Sequence, residues 1–119
     1  LYSLGFEFAE LKKSDVILDA YCGIGTIGLI ASKQVKEVYG VEIVKEAIVD
    51  AKNNARINKI TNCHYECKDA SDYMLDKKFD VIFVDPPRKG LDTKFINALM
   101  KNKPKKIVYI SYHLYFLRN

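Results

Sequence analysis

The 119-residue chain has the length and composition of one globular domain. Hydrophobic residues make up 49% and charged residues 29% of it, a balance typical of folded proteins. The net charge of +4 at pH 7 suits an anionic partner, although a solvated lysine-rich surface has the same charge. The sequence has no signal-peptide pattern and no apolar run near eighteen residues, so we expect a cytoplasmic protein without a membrane partner.

The chain alternates strand patterns with helical ones. Residues 1–13 carry apolar side chains at helical spacing and predict a lead-in helix. Strands are predicted at residues 16–20, 37–42, 62–68, 79–85 and 106–112. Three of them, VILDA, VIFVD and IVYIS, are nearly continuous apolar runs, as is typical of strands buried on both faces of a parallel sheet.

Two stretches between these strands have an apolar stripe at helical spacing. The first stripe consists of Val44, Ala47, Ile48, Ala51 and Ala55, and the second of Phe95, Ile96, Leu99 and Met100. Alternating strands and helices predict an α/β fold with a doubly wound parallel sheet, of strand order 3-2-1-4-5, in one domain over residues 1–119. A sheet that ended at the fifth strand would have an uncovered edge, so we expect the chain to be part of a longer protein.

The three cysteines are an odd number without zinc-like spacing, which indicates reduced thiols in a cytosolic protein. Cys63 and Cys67 lie four residues apart, and His64 is the only histidine between them. Structural zinc sites take four ligands. We therefore predict no metal site.

A glycine-rich loop follows the first strand in LDAYCGIGTIGL, residues 18–29. Gly23, Gly25 and Gly28 fall within six positions. Between a strand and a helix, glycines permit a tight turn and let a ligand approach the backbone near unpaired helix amides. Because many α/β folds also use glycine there for packing, this motif alone indicates a nucleoside-bearing ligand only weakly.

Glu42 ends the second strand, fourteen positions after Gly28. A carboxylate at the tip of that strand can accept both hydroxyl groups of a ribose. The alternative is a charge near the amino end of the following helix. Glu42 would serve NAD and S-adenosylmethionine equally well, so these two motifs leave the cofactor open.

The fourth strand ends in Asp85-Pro86-Pro87-Arg88 within FDVIFVDPPRKGLD. Two consecutive prolines give a rigid, extended exit without backbone donors. That exit holds Asp85 at the carboxyl edge of the sheet, where open α/β folds bind ligands. A turn leading into a helix capped by Asp92 is the plainer interpretation, but it explains neither Asp85 nor the Arg88-Lys89 pair. The motif favours a methyl-transfer site over a nicotinamide site.

Together, LDAYCGIGTIGL, VYGVEIVKEAIVDAKNNARINKI, FDVIFVDPPRKGLD and KKIVYIS resemble the S-adenosylmethionine-dependent RNA uracil-5-methyltransferases. The likeness runs from about residue 15 to residue 111. It implies a Rossmann-like methyltransferase fold, S-adenosylmethionine as the cofactor, and ribosomal or transfer RNA as the partner of the full-length protein. The cofactor-binding residues that it implies are Tyr21, Cys22, Gly23, Gly25, Glu42, Asp69 and Asp85.

The resemblance assigns the cofactor-site residues separate parts. Residues 22–25 would pass the methionine half of the cofactor, and Asp69 would approach the adenine. Cys22 lies in this loop and is interpreted as a small packed residue, because free cysteine behaves as a small hydrophobe.

The chain departs from the family after the fifth strand. The family uses a cysteine thiolate that adds to carbon 6 of uracil, so that carbon 5 becomes the attacking nucleophile, and a later carboxylate that removes the carbon 5 proton. Here Ser111 matches the family's segment, but Tyr112 stands where the cysteine is expected, and His113 and Leu114 follow. A phenol of pKa about 10 is largely protonated at neutral pH. We therefore expect a cofactor-binding core without an intact catalytic nucleophile.

Other functions remain open from the sequence. A methyltransferase acting on an exocyclic amine would hold a flipped base with Asp-Pro-Pro and an aromatic residue, but Arg88 stands at the aromatic position. A nicotinamide-binding module is disfavoured by Asp85-Pro86-Pro87. A non-catalytic nucleotide-binding α/β module is the third alternative.

Overall fold

The computed structural model describes residues 10–110 and, for their backbone alone, residues 115–118. The strands are β1 (Val16–Ala20), β2 (Glu37–Glu42), β3 (Cys63–Cys67), β4 (Val81–Val84), β5 (Lys106–Ile110) and β6 (Tyr115–Arg118). The helices are α1 (Thr26–Ala31), α2 (Lys45–Ile57), α3 (Ala70–Asp76) and α4 (Thr93–Asn102), and a 3-10 turn covers Ser32–Gln34.

The strands form one sheet in the order β3-β2-β1-β4-β5-β6. The first five strands run parallel, and β1 is flanked by β2 and β4. This arrangement confirms the predicted order 3-2-1-4-5 and the doubly wound α/β fold. The strand order reverses between β1 and β4, and ligands of open α/β sheets bind at that switch point.

The sheet continues beyond the five predicted strands, by one strand that the sequence analysis did not predict. Residues 115–118 form β6, which pairs antiparallel with β5 from Ile107 opposite Arg118 to Ile110 opposite Tyr115. An exposed edge strand carries unpaired N–H and C=O groups, and Tyr-Phe-Leu is a segment of high β-propensity. Pairing that segment with β5 satisfies the backbone groups along this edge.

Two further expectations concern the ends of the chain. The predicted lead-in helix falls on residues 1–9, which lie outside the described residues, and on residues 10–13, which are not helical. Glu10 has a left-handed φ of 52°, which does not propagate a right-handed helix. Tyr112, the residue at the expected nucleophile position, also lies outside the described residues, as do its neighbours at 111, 113 and 114.

The sheet is covered on both faces, as its apolar strands predict. Ile17 and Leu18 are adjacent and completely buried, yet they belong to different core clusters because successive strand residues point to opposite faces. Side chains of α1 and α2 pack on the Ile17 face. Those of α3 and α4 pack on the Leu18 face.

The predicted helical stripes are partly wrong at their margins. Val44 is the N-cap residue of α2 and is half exposed. In α4, Ile96 and Met100 are exposed, and the inner face instead carries Phe95, Ala98 and Asn102. The Asn102 amide donates to the carbonyls of Met74 (2.8 Å) and Lys77 (2.6 Å). This buried polar network selects the face of α4 that turns inward.

Candidate functional site

A cavity of about 490 Å³ opens at the carboxyl edge of the sheet, beside the switch point. It is bounded by the ends of β1, β2 and β4 and by the segments that follow β3 and β4. Four of the residues predicted from the sequence line it, namely Tyr21, Glu42, Asp69 and Asp85. The topology therefore brings together side chains that are up to 64 positions apart in the chain.

The glycine loop has a left-handed backbone at several positions. The φ angles are 59° at Tyr21, 56° at Gly23 and 87° at Gly25. Glycine adopts such angles without a steric penalty, whereas at Tyr21 the side chain makes the same backbone conformation strained. Strained non-glycine residues concentrate at functional sites, and the Tyr21 ring points towards α4, where it lies 5.2 Å from the Phe95 ring. Burial, together with the charges of Asp92, Asp69 and Glu42, raises the pKa of Tyr21.

Glu42 connects the glycine loop to the start of α2. One carboxylate oxygen accepts from the Gly23 amide at 3.2 Å, and the other accepts from the Val44 amide at 3.1 Å. Because Val44 itself is the N-cap residue of α2, Glu42 is not a simple helix cap. A carboxylate oxygen has more than one acceptor site, so Glu42 can hold the loop and still accept hydroxyl donors from the cavity.

The segment after β4 has the rigid exit that its prolines predict. The described residues contain no cis peptide bond, and the Gly90 amide closes the turn by donating to the Pro87 carbonyl at 2.8 Å. Asp92 then caps α4 by accepting from the Phe95 amide at 2.8 Å. Asp85 faces the cavity at the start of this exit, and burial raises its pKa.

Asp69 has a structural task besides lining the cavity. Its carboxylate caps α3 by accepting from the amides of Ser71 at 2.7 Å and Asp72 at 3.4 Å. The Lys94 ammonium lies 3.9 Å from Asp69 and 3.2 Å from Asp72. This cap orients the Asp69 side chain at the mouth of the cavity.

Three predicted residues do not line the cavity: Cys22, Gly23 and Gly25. Gly23 is nevertheless joined to the site through its hydrogen bond to Glu42. The Cys22 side chain packs towards β2, where a methyl group added at Gly40 would lie 3.2 Å from its sulfur. Burial raises the pKa of the Cys22 thiol. The thiolate is the nucleophilic form of cysteine, and burial disfavours that form at Cys22.

Asp19 is a buried acidic residue near the site that the sequence interpretation missed. It is 1% exposed, and neither of its carboxylate oxygens has a hydrogen-bond partner among the described residues. Burial raises its pKa to about 7; the Gly28 amide nearby lowers it, and the charges of Asp85 and Glu42 raise it further. The available signal was an acidic residue inside the apolar run VILDA.

The charges around the cavity distinguish between the two cofactors left open by the sequence. Four carboxylates line it, those of Glu42, Asp69, Asp85 and Asp92, against the two ammonium groups of Lys68 and Lys89. Asp19, which is buried beside Gly28, is close enough to Asp85 and Glu42 for their charges to raise its pKa. An acidic site suits a cofactor with a cationic sulfonium and disfavours the anionic pyrophosphate of a dinucleotide. The residues present therefore fit S-adenosylmethionine.

Comparison with protein families gives one decisive match. A family model described as a methyltransferase domain matches residues 11–114. The chain belongs to the methyltransferase-domain family. This membership supports S-adenosylmethionine as the cofactor.

Curated relatives of this methyltransferase domain carry related names. The chain is 52% identical to an uncharacterized RNA methyltransferase of Lactobacillus johnsonii, with 93% of the chain and 26% of the relative covered. It is also 52% identical to the uncharacterized RNA methyltransferase YljE of Lactococcus lactis, with 93% and 25% covered. The resemblance to RNA methyltransferases seen in the sequence is confirmed. The chain spans about a quarter of the length of these relatives.

Solved structures share the fold of the domain. The Pyrococcus abyssi tRNA (uracil-54, C5)-methyltransferase, solved with S-adenosyl-L-homocysteine, is 34% identical at a TM-score of 0.76, with 90% of the chain and 27% of that protein covered. YcgJ of Bacillus subtilis is 22% identical at a TM-score of 0.82, with 91% and 48% covered, and supports the fold alone. In residues 10–110 and 115–118, no helix has the length and apolarity needed to cross a membrane.

Proposed function

We propose that this domain binds S-adenosylmethionine within an RNA methyltransferase that acts on carbon 5 of uracil. The observation that carries the proposal is the acidic cavity at the switch point, where Glu42, Asp85 and the glycine loop meet. The bound cofactor supplies an electrophilic methyl group, and the domain's residues bind and orient it. The names of the relatives and the likeness to the tRNA uracil methyltransferase support RNA as the substrate class.

The proposed assignments follow the geometry. Glu42 accepts the ribose hydroxyl groups, because its carboxylate is fixed at the end of β2 by two backbone amides. Asp69 faces the adenine from the cap of α3. Asp85 and the backbone of residues 22–25 hold the methionine half of the cofactor. There the negative charge of the Asp85 carboxylate attracts the sulfonium cation.

Binding is tested by calorimetry on the 119-residue chain. We expect saturable binding of S-adenosylmethionine or S-adenosylhomocysteine and no binding of NADH. Saturable NADH binding without any binding of the methyl donor would overturn the proposal.

Catalysis is tested separately, because Tyr112 stands where the uracil methyltransferases have their cysteine. We expect no methylation of uridine by this polypeptide alone, since removal of a nucleophile commonly costs on the order of a million-fold in turnover. Tyr112→Cys alone should not restore activity, because the carboxylate that accepts the carbon 5 proton is not assigned in this sequence. The measurement is tritium transfer from labelled donor to a uridine-containing RNA, with a full-length uracil methyltransferase as positive control. Multiple turnovers by the 119-residue chain would contradict the expectation.

A further inference from the structure

Tyr65 lies beneath the glycine loop, on the face of the sheet covered by α1 and α2. In the strand register, Asp19 of β1 is opposite Gly40 of β2, which in turn is opposite Tyr65 of β3. Gly40 has no side chain, so the Tyr65 ring extends across β2 towards β1. The ring is 4% exposed, although β3 is the edge strand of the sheet.

Two glycines make room for this ring. A methyl group added at Gly40 would lie 2.5 Å from Cδ1 of Tyr65, and one added at Gly25 would lie 2.8 Å from its hydroxyl oxygen. One added at Gly28 would be in ordinary contact with that oxygen at 3.4 Å, and would lie closer to Val38 (3.0 Å) and Asp19 (3.2 Å). By contrast, a methyl group at Gly23 would meet nothing within 4 Å. Gly25 and Gly40 therefore make room for the Tyr65 ring, whereas a methyl group at Gly23 would meet no neighbouring atom.

The Tyr65 side chain contacts both α2 and the glycine loop. On one side it packs with Ile48, Ala51 and Ala55 of α2. On the other side its hydroxyl donates to the Gly25 carbonyl at 3.4 Å, a long and weak hydrogen bond. Burial raises the pKa of Tyr65, so the hydroxyl keeps its proton for this contact. The ring thus sets the height of the loop above the sheet.

We propose that Tyr65 is a positioning residue of the cofactor loop, acting through Gly25 on the contact between Gly23 and Glu42. This proposal rests on the proposed function for its effect on binding. Gly25 is the N-cap residue of α1, and Gly23, two residues earlier, donates to Glu42 at 3.2 Å. A loop that sinks towards the sheet moves the Gly23 amide away from Glu42. The cofactor affinity then falls, although Tyr65 does not line the cavity of the cofactor site.

The first test compares Tyr65→Phe and Tyr65→Leu with a matched control, Tyr73→Leu. Tyr73 is as deeply buried as Tyr65 but packs on the opposite face of the sheet, and it does not line the cavity. We expect S-adenosylmethionine to bind about threefold more weakly to Tyr65→Phe, from the lost hydroxyl contact. Tyr65→Leu should bind at least about tenfold more weakly, because its loop is no longer supported. Tyr73→Leu should lose comparable thermal stability and bind within about twofold of the wild type.

The second test needs no cofactor. Hydrogen exchange of the amides of residues 23–25 should be faster in both Tyr65 variants than in the wild type, and unchanged in Tyr73→Leu. If the wild type fails to bind the methyl donor while these amides still respond to Tyr65, the proposed function fails and the positioning role stands. Unchanged exchange and affinity in folded Tyr65→Phe and Tyr65→Leu would overturn the positioning role, as would equal loss of affinity in Tyr73→Leu.

A larger residue at position 40 combined with a smaller one at position 65 distinguishes a packing role of Tyr65 from a positioning role. Gly40→Ala alone should lower the melting temperature, because its methyl group overlaps the ring. The double variant Gly40→Ala/Tyr65→Leu should lose less stability than the sum of the two single variants, because the leucine side chain leaves room for the added methyl group. The weakened cofactor binding should not recover in the double variant. Recovery of full affinity would show that Tyr65 only fills space.

Discussion

The loops that follow β1 and β4 lie side by side at the carboxyl edge of the sheet. Their backbones differ in conformational freedom, because the first is rich in glycine and the second in proline. The loop after β1 contains left-handed residues at positions 21, 23 and 25. The loop after β4 begins with Asp85-Pro86-Pro87, in which two of three residues have no amide hydrogen. Proline restricts its own φ and the residue before it.

The difference lies in what fixes each loop. The glycine loop is held by its neighbours: the Cys22 amide donates to Val41 at 3.0 Å, the Gly23 amide donates to Glu42, and the Tyr65 ring supports Gly25 from below. The proline loop is fixed mainly by its covalent structure. Distant substitutions should therefore disturb the first loop and leave the second in place.

The largest effect is expected from Gly25→Ala. The substitution adds about 1–2 kcal/mol of left-handed strain at a φ of 87°. Its methyl group would also overlap the Tyr65 hydroxyl, and overpacking of a core typically adds about 1–3 kcal/mol. We expect a total loss of about 2–5 kcal/mol in the free energy of unfolding, measured by urea denaturation.

Two control variants test this comparison of the loops. Gly23→Ala should cost only the left-handed strain, because no atom lies within 4 Å of its added methyl group. Pro87→Ala should lose only about 0.4–1 kcal/mol, the entropic contribution of proline. Equal losses at Gly25 and Gly23 would mean that Tyr65 does not support the loop.

A second large effect is a pH dependence caused by Asp19. Burial raises its pKa to about 7 from a reference value of 3.8. Between about pH 4 and pH 7 the unfolded chain therefore releases this proton while the folded chain keeps it, and stability falls as the pH rises. The cost, fully present above about pH 7, is on the order of 4 kcal/mol at 1.4 kcal/mol per pK unit.

Asp19→Asn isolates this contribution, because the amide does not titrate in this range. The melting temperature of the variant should fall less between pH 5 and pH 8 than that of the wild type. The comparison uses the slope with pH and not the absolute stability, since the new amide also requires hydrogen-bond partners. Parallel pH profiles of the two proteins would show that Asp19 is ionised, and stabilised, in the folded state.

An intermediate effect is expected from Glu42→Ala. The cofactor affinity should fall by about 1–3 kcal/mol, the cost of unpaired polar groups at a buried contact. Glu42 also holds Gly23, so the variant should show faster amide exchange at that glycine. Glu46→Ala, in the exposed first turn of α2, is the matched control and should bind as the wild type does. Wild-type affinity in Glu42→Ala, measured by calorimetry, would limit Glu42 to a structural role.

The sequence predicted the parallel sheet because its signals are local. VILDA, VIFVD and IVYIS are apolar enough to identify buried strands. The order 3-2-1-4-5 was predicted from the alternation of strands and helices and from the glycine loop after the first strand. The residues at the edges of the buried helix faces were less predictable. Asn102 turned the inner face of α4 away from Met100 through hydrogen bonds to a segment more than twenty positions distant, and no local pattern encodes such a contact.

The candidate site divides in the same way. Glu42 and Asp85 could be placed at the cavity because each ends a strand of a parallel sheet. The burial of Asp19 depends on its neighbours in the folded structure, Gly28 and Gly40 of β2, and its lack of a hydrogen-bond partner is not encoded in a local pattern. Likewise, the sequence attributes the glycines of the loop to a ligand, whereas the space at Gly25 is filled by Tyr65, forty positions later. Sequence spacing cannot distinguish a glycine that admits a ligand from one that admits a side chain.

The smallest effect is expected from the double variant Arg88→Ala/Lys89→Ala on the proline loop. Both side chains are exposed, and Lys89 lines the cavity, so under the proposed function we expect them to contact phosphates of the RNA. Removal of two phosphate contacts should weaken RNA binding several-fold and reduce the slope of log affinity against log salt by about 2. Lys33→Ala/Lys36→Ala removes the same charge from exposed positions between α1 and β2 and should change the affinity less. The measurement is fluorescence anisotropy with a uridine-containing RNA over a salt series. Equal effects of the two double variants would indicate that only net charge matters, and that the proline loop has no special place in RNA binding.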